Sequence, residues 1–415
     1  MDVFDERIVG YEYEKTVLRK IVDMLKNPAE YEGVGNALSK GLLLVSPPGT
    51  GKTTLAECLI EESGREAVIL RKKCGDDQFL EEIGRSYKKA AEAAPAVVLL
   101  DDIDKYGDDI HDPAWVTIQA CIDENAAKGV FTVATANDTD DIAESLLRPG
   151  RFDVILNLEK PIGKDAEDII RFYLEGKELA EDVELDDFCR LLSGQNCAAL
   201  ETAVNLATMN RIFDRTDKIH RQHLLEAVLT SVFGLKEPDY KDRDMLRHIA
   251  FHEASHVLVA EMLCPGIVSM ATVRRDGRES GGCIRYEEKP ILDMKMHEKF
   301  ITIAMAGKAG VKLRFGIDDF GSSGDVQESY DNAVRMVSRF GVAGFAGIEG
   351  SHRGLSEALY QRTEDVSAGI LERCYSEAMN ILTMNMGLIE KIADALIEKD
   401  TLLSSDIRAL MGDPR

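Results

Sequence analysis

With 415 residues, 45% of them hydrophobic and 30% charged, the chain is long enough for two or three domains with real cores and is not disordered by composition. A formal charge of −24 argues against nucleic acid or an anionic membrane surface as the main partner. The 8 cysteines are scattered without a C-x-x-C pair, so neither a disulfide framework nor a thiolate zinc cluster is indicated, and a reducing, cytoplasmic compartment is expected. No apolar run reaches the ~18 residues of a membrane span, and no basic stretch leads into an apolar one at the start.

In chain order, residues 8–28 read as a short turn and an amphipathic helix that stops before Pro28. A buried strand, Gly41–Val45, runs into Ser46-Pro47-Pro48-Gly49-Thr50-Gly51-Lys52-Thr53-Thr54, and a helix follows. A strand, a glycine-rich turn ending in GKT and a helix form a phosphate cradle. Backbone N–H groups and the helix N-terminus face the anion, Lys52 reaches the β and γ phosphates of ATP, and Thr53 binds magnesium. Pro48, Gly49, Thr50, Gly51 and Thr54 complete the loop, with Val9 and Gly10 of the first turn counted in the same site. Ser46 stands where the first glycine is usual.

A second strand, Glu66–Leu70, precedes a helix carrying Phe79, Ile83 and Tyr87 on one side. The strand Ala96–Leu100 ends in Asp101 and Asp102. In a nucleotide-binding sheet that is where magnesium and the attacking water are held, so Asp101 is expected in the magnesium shell and Asp102 as the group that activates water. Val130–Ala136 is a further buried strand ending at Asn137, and Arg148 and Arg151 follow in LLRPGRFD.

The run MLRHIAFHEASHVLVAEML has helical periodicity until Cys264-Pro265-Gly266 stops it. Residues four apart share a helix face, so His252 and His256 can direct two imidazoles at one zinc ion. Glu253 beside them is placed to take a proton from a water at the ion, the H-E-x-x-H arrangement. His248 lies on the same face, but the three histidines span about 12 Å of helix rise, too far for one ion. Only neighbouring pairs can share it, and His248 is assigned to packing or surface.

SPPGTGKT, VVLLDDID and Asn137 followed by LLRPGRFD resemble the AAA ATPase core, and with HEASH in a C-terminal domain the chain resembles the FtsH family of ATP-dependent zinc proteases. The likeness runs from about Ile8 to the C-terminus and takes in LLSGQNCAALETAVNLA, similar to the family's lid segment. It implies an α/β AAA+ P-loop nucleotide-binding domain with a helical lid, followed by a mostly α-helical zinc metalloprotease domain. The expected bounds are 1–158, 159–235, a linker at 236–244, and 245–415. The resemblance further implies that Asn137 senses the γ phosphate, that Arg148 and Arg151 are arginine fingers reaching a neighbouring subunit's nucleotide in a homohexamer, and that Asp325, in FGSSGDV, is the third zinc ligand. Spacing alone would make Asp325 an ordinary first-turn acid on a helix begun by Ser322 or Ser323. The segment Ser280–Tyr286 matches the family's edge strand beside the metal, to which an extended protein or peptide substrate could add.

Several positions depart from the family pattern. Its membrane-anchoring helices do not appear: either the chain is a soluble relative or an anchor has been trimmed from it, and the start at Met1 favours the former. Asp102 replaces the usual glutamate, which predicts slow ATP turnover. Lys72-Lys73-Cys74-Gly75-Asp76 stands in place of the aromatic substrate-gripping loop, while Phe79 nearby is read as core. Asp123-Glu124-Asn125 replaces an inter-subunit Asp-Gly-Phe, and Val311-Lys312 an acidic pair. The leading reading is an ATP-dependent zinc endopeptidase acting on unfolded or weakly folded proteins. Two alternatives stay open: a remodelling or scaffolding ring with vestigial proteolysis, and a zinc peptidase largely indifferent to ATP.

Overall fold

In the computed structural model the described residues are 2–31, 39–73, 76–236, 242–275, 281–287, 293–318, 320–342, 344 and 357–412. Five short apolar runs form one parallel sheet: β1 (Gly41–Val45), β2 (Glu66–Leu70), β3 (Ala96–Leu100), β4 (Val130–Ala136) and β5 (Val154–Asn157), in the order β2-β3-β4-β1-β5. Every residue of β3 and β4 is buried, because helices cover both faces of a parallel sheet, which is why β3 reads as an unbroken apolar run and β4 is interrupted only by Thr132 and Thr135. Phe79, Ile83 and Tyr87 of the helix Asp76–Glu92 are buried on one face, with Tyr106 edge-on to Phe79. On the other face Leu18, Ile21, Val22 and Leu25 of the helix Glu12–Lys26 pack with Leu55 and Leu59 of the helix Lys52–Ser63. The topology leaves the C-terminal ends of β1, β3 and β4 side by side, and Ser46, Asp101 and Asn137 each sit one residue past such an end.

The chain divides into two compact units. One holds residues 1–176 and 194–205, the other residues 177–193 and 206–415. Residues 159–235, expected as a lid, are thus shared between them. The second unit gathers the helices Leu185–Leu192 and Arg221–Ser231 through specific polar contacts. Asp187 accepts from the Ser405 amide at 2.9 Å and from its hydroxyl. Arg274 is buried between Glu226, at 2.9 Å, and Asp400, at 3.0 Å. Buried charges persist only when paired, so these contacts tie the two helices to the rest of the unit.

The second unit is built on the helix Arg243–Leu263, whose first turn is capped by Asp242 accepting from the Asp244 amide at 2.8 Å. Its buried face packs against the helices Ala306–Phe315 and Met386–Lys399. The buried Glu261 then accepts from the Gly266 and Val268 amides, at 2.6 and 2.9 Å, and shapes the turn into β6 (Val268–Thr272). β6 is the centre of an antiparallel sheet between β7 (Cys283–Tyr286) and β8 (Thr401–Leu403). β8 lies between the helices Met386–Lys399 and Ser404–Met411. Three residues are too few to show a period, and pairing with β6 is what makes them a strand. Among the described residues, no helix is long and apolar enough to cross a membrane.

Candidate active sites

After β1 the chain turns through Ser46–Gly51 into the helix Lys52–Ser63. Gly51 takes φ 97°, in the left-handed region that costs glycine little, so the turn can close directly before the helix N-terminus. A cavity of about 410 Å³ opens there, lined by Pro48, Gly49, Gly51, Lys52, Thr53 and Thr54 together with Asp102, Lys105 and Asn137. A smaller, more apolar one of about 80 Å³ adjoins it, lined by Ile8, Val9, Tyr11, Thr50, Ile169 and Phe172 among others. Gly10 lines neither; with φ 75° it turns the chain into Tyr11. The polar groups are committed to one another. Lys52 Nζ donates to the Ser46 carbonyl at 2.6 Å and to Asn137 Oδ1 at 3.1 Å, while Asn137 Nδ2 donates to Asp104 Oδ2 at 2.9 Å. Burial lowers the Lys52 pKa, partly offset by Asp102, Asp104 and Asp101.

Asp101 Oδ1 accepts from Thr53 Oγ1 at 3.0 Å and from Thr135 Oγ1 at 2.8 Å, and Arg71 Nε donates to its other oxygen at 2.8 Å. The Thr53 hydroxyl and the Asp101 carboxylate are hard oxygen donors side by side at the phosphate turn, a set that fits magnesium. Asp102 adopts φ 56°, and its carboxylate accepts from Lys105 Nζ at 2.7 Å. Arg148 and Arg151 do not line the cavity of their own chain. Arg148 is exposed and pairs with Glu144 at 3.4 Å, whereas Arg151 donates to the Ser145 carbonyl at 2.6 Å and to Asp123 at 3.1 Å. Cys74 and Gly75 of the Lys72–Asp76 loop lie outside the described residues; Lys72 Nζ donates to the Tyr106 carbonyl at 3.2 Å. If the shorter reach of Asp102 limits hydrolysis, Asp102→Glu raises the kcat for ATP by about tenfold in a phosphate-release assay, and a fall refutes that limit.

In the second unit, His252 Nε2 and His256 Nε2 lie 3.1 Å apart, and Asp325 Oδ2 is 3.1 Å from the first and 3.4 Å from the second. Asp325 is brought there by the first turn of the helix Ser323–Ser338. His256 Nδ1 lies 2.7 Å from the Ile303 carbonyl, which can only accept, so Nδ1 carries the hydrogen and Nε2 presents a lone pair. Three donor atoms within 4.8 Å of one another, two imidazole nitrogens and a carboxylate oxygen, are the donor set of a catalytic zinc site with one position open. Burial alone would raise the Asp325 pKa, but the imidazoles outweigh it and hold the carboxyl far below its usual range. His256 is raised, because Asp325 overcomes the effect of burial.

Glu253 is buried, and burial pushes its carboxyl up to about 7 against the pull of His252 and His256. Gly282, next to β7, lies so close that a Cβ there would sit 2.8 Å from Glu253 Cδ. A Cβ on Gly307 would collide with His252 Cε1 and His256 Nε2, and one on Gly310 with Ser255. His248 stacks on Phe315, with ring centroids 5.1 Å apart. The sequence reading missed Gly307, Ile303, Arg71 and Lys105. For Gly307 a signal existed: glycine is unfavourable inside a helix, so two of them three apart in AGKAG mark a close approach.

Residues 42–160 match the profile of the ATPase family associated with various cellular activities (AAA), and residues 240–410 that of peptidase family M41. The chain is 30% identical over 452 aligned positions to the ATP-dependent zinc metalloprotease FtsH 1 of Thermomicrobium roseum, covering 99% of this chain and 68% of that protein. It is likewise 30% identical to the FtsH of Streptobacillus moniliformis, covering 98% of this chain and 63% of the relative. For the FtsH 2 of Sphaerobacter thermophilus the identity is 29%, over 99% of this chain and 66% of the relative. The chain therefore spans roughly two thirds of the length of the relatives it matches.

Proposed function

Because this chain belongs to the FtsH family of ATP-dependent zinc metalloproteases, pairing an AAA domain with an M41 peptidase domain, we propose that it is an endopeptidase that cleaves unfolded or weakly folded proteins and uses ATP to deliver them. The observation that carries this reading is the convergence of His252, His256 and Asp325 next to the buried Glu253. His252, His256 and Asp325 hold zinc, which when bound supplies a Lewis acid for the scissile carbonyl and the attacking water. Glu253 accepts the proton of that water and returns it to the leaving amine. The Ile303 carbonyl fixes the His256 ring by accepting from Nδ1. β7 is an outer strand of its sheet, so an extended substrate can add to it by main-chain pairing, and Gly282 leaves room for Glu253 at that edge.

In the ATPase part, Lys52 and the phosphate loop hold the nucleotide, Thr53 and Asp101 the magnesium, Asn137 senses the γ phosphate and Asp102 activates water. Arg148 and Arg151 act on a neighbouring subunit's nucleotide in a homohexamer, a role supported by their position off the cavity of their own chain. The seven described cysteines, none of them in a disulfide, support a reducing, cytoplasmic setting, and the charge of −24 argues against nucleic acid. Casein and short-peptide cleavage, each with and without ATP, test the proposal: casein cleavage is expected to need ATP. Equal casein cleavage without ATP would leave a peptidase indifferent to nucleotide, and ATP hydrolysis without any cleavage a remodelling ring.

A further inference from the structure

Two lysines line the nucleotide cavity, and they are placed differently. Lys52 is buried and bonded to the Ser46 and Pro47 carbonyls and to Asn137, as the lysine of a phosphate loop should be. Lys105 stands three residues after Asp102, at the end of the single turn Ile103–Lys105, and its ammonium is 2.7 Å from Asp102 Oδ2. Asp102 is the group assigned to activate water, and it is held by a cation from its own chain. The pair is open to solvent, with 62% of the Lys105 side chain and 42% of the Asp102 side chain exposed. Such a pair is weakly held, and a stronger anion entering the cavity can take the lysine from it. The terminal phosphate of ATP carries more charge than a carboxylate and offers more acceptor oxygens.

We propose that Lys105 is a nucleotide-sensing latch: it pairs with Asp102 while the terminal phosphate is absent and moves to that phosphate when ATP binds, freeing Asp102 to orient the attacking water. ADP lacks the phosphate that draws Lys105 away, so Asp102 is captured again after hydrolysis. The release of Asp102 is thereby tied to the presence of its own substrate. The proposal rests on the nucleotide reading of this cavity and adds to it a second cation that distinguishes ATP from ADP.

The test compares the parent protein with Lys105→Met and Lys105→Arg. Calorimetric titration measures the Kd for magnesium-ATP, using a slowly hydrolysed analogue, and for magnesium-ADP; steady-state assays measure KM and kcat for ATP. A charge-assisted contact to the terminal phosphate predicts that Lys105→Met weakens ATP binding about tenfold and leaves ADP binding within about twofold. The contact persists from the bound state through hydrolysis, so KM rises with kcat little changed. Lys105→Arg restores most of the preference for ATP. Retained ADP binding in Lys105→Met also shows that the cavity is folded. Equal weakening of both nucleotides, or ATP binding unchanged from the parent, overturns the latch, whereas a parent protein that binds neither nucleotide would remove the nucleotide reading itself.

Discussion

Glu253→Gln is expected to lower casein and peptide cleavage by about 10²- to 10⁴-fold, the range supplied by a positioned general base, while ATP hydrolysis stays within about twofold of the parent. The side chain is buried beside the two imidazoles, and the substitution keeps its shape while removing its ability to take a proton. Folding is not put at risk, because glutamine need not ionise in a place where burial already opposes the charged carboxylate. Zinc content is expected to be unchanged, since the three donor atoms come from His252, His256 and Asp325. Loss of both zinc and cleavage would assign Glu253 a structural role instead, and retained cleavage would reject it as the base.

The second large effect is expected from a residue that carries no chemistry. Gly307→Ala places a methyl group where His252 Cε1 and His256 Nε2 already are, in a helix packed against the histidine-bearing one. Neither helix can withdraw without unpacking the core they share with Ala254, Leu258, Ala306 and Ala309, so the imidazoles are displaced. Zinc affinity is expected to fall by at least roughly 10- to 100-fold, the scale of disturbed support around metal ligands, and proteolysis with it. Gly387→Ala is the control, because nothing lies within 4 Å of a Cβ there. Its zinc affinity and activity should match the parent. Competition for zinc with a chelator dye measures both variants, and parent-like affinity in Gly307→Ala would show that the helix gap is wider than the structure has it.

The parts of the molecule that could be read from sequence are those whose cause is local. β1, β3 and β4 lie where buried strands are expected, because a strand buried on both faces is recorded in its own side chains, and the more exposed β2 lies at Glu66–Leu70 as expected. The same holds for His252 and His256, whose pairing needs only the rise of one helix. β5 and β8 were not read, having four and three residues and gaining their identity from β1 and β6 across long stretches of chain. Asp325 shows the limit most clearly. A first-turn acid on a helix has an ordinary local explanation, and only the fold brings it 73 positions back along the chain to His252. Gly307 and Lys105 act through partners that periodicity does not register, one on a neighbouring helix and one in a cavity open to solvent.

Elemental analysis of the purified protein and of its Asp325→Ala variant tests the metal site most directly. About one zinc per chain in the parent, sharply reduced in the variant, is the predicted result for a site with two histidines and one aspartate as ligands. A parent that carries no zinc while cleaving protein, or a variant that keeps its full zinc, would contradict the assignment of His252, His256 and Asp325 as a metal centre.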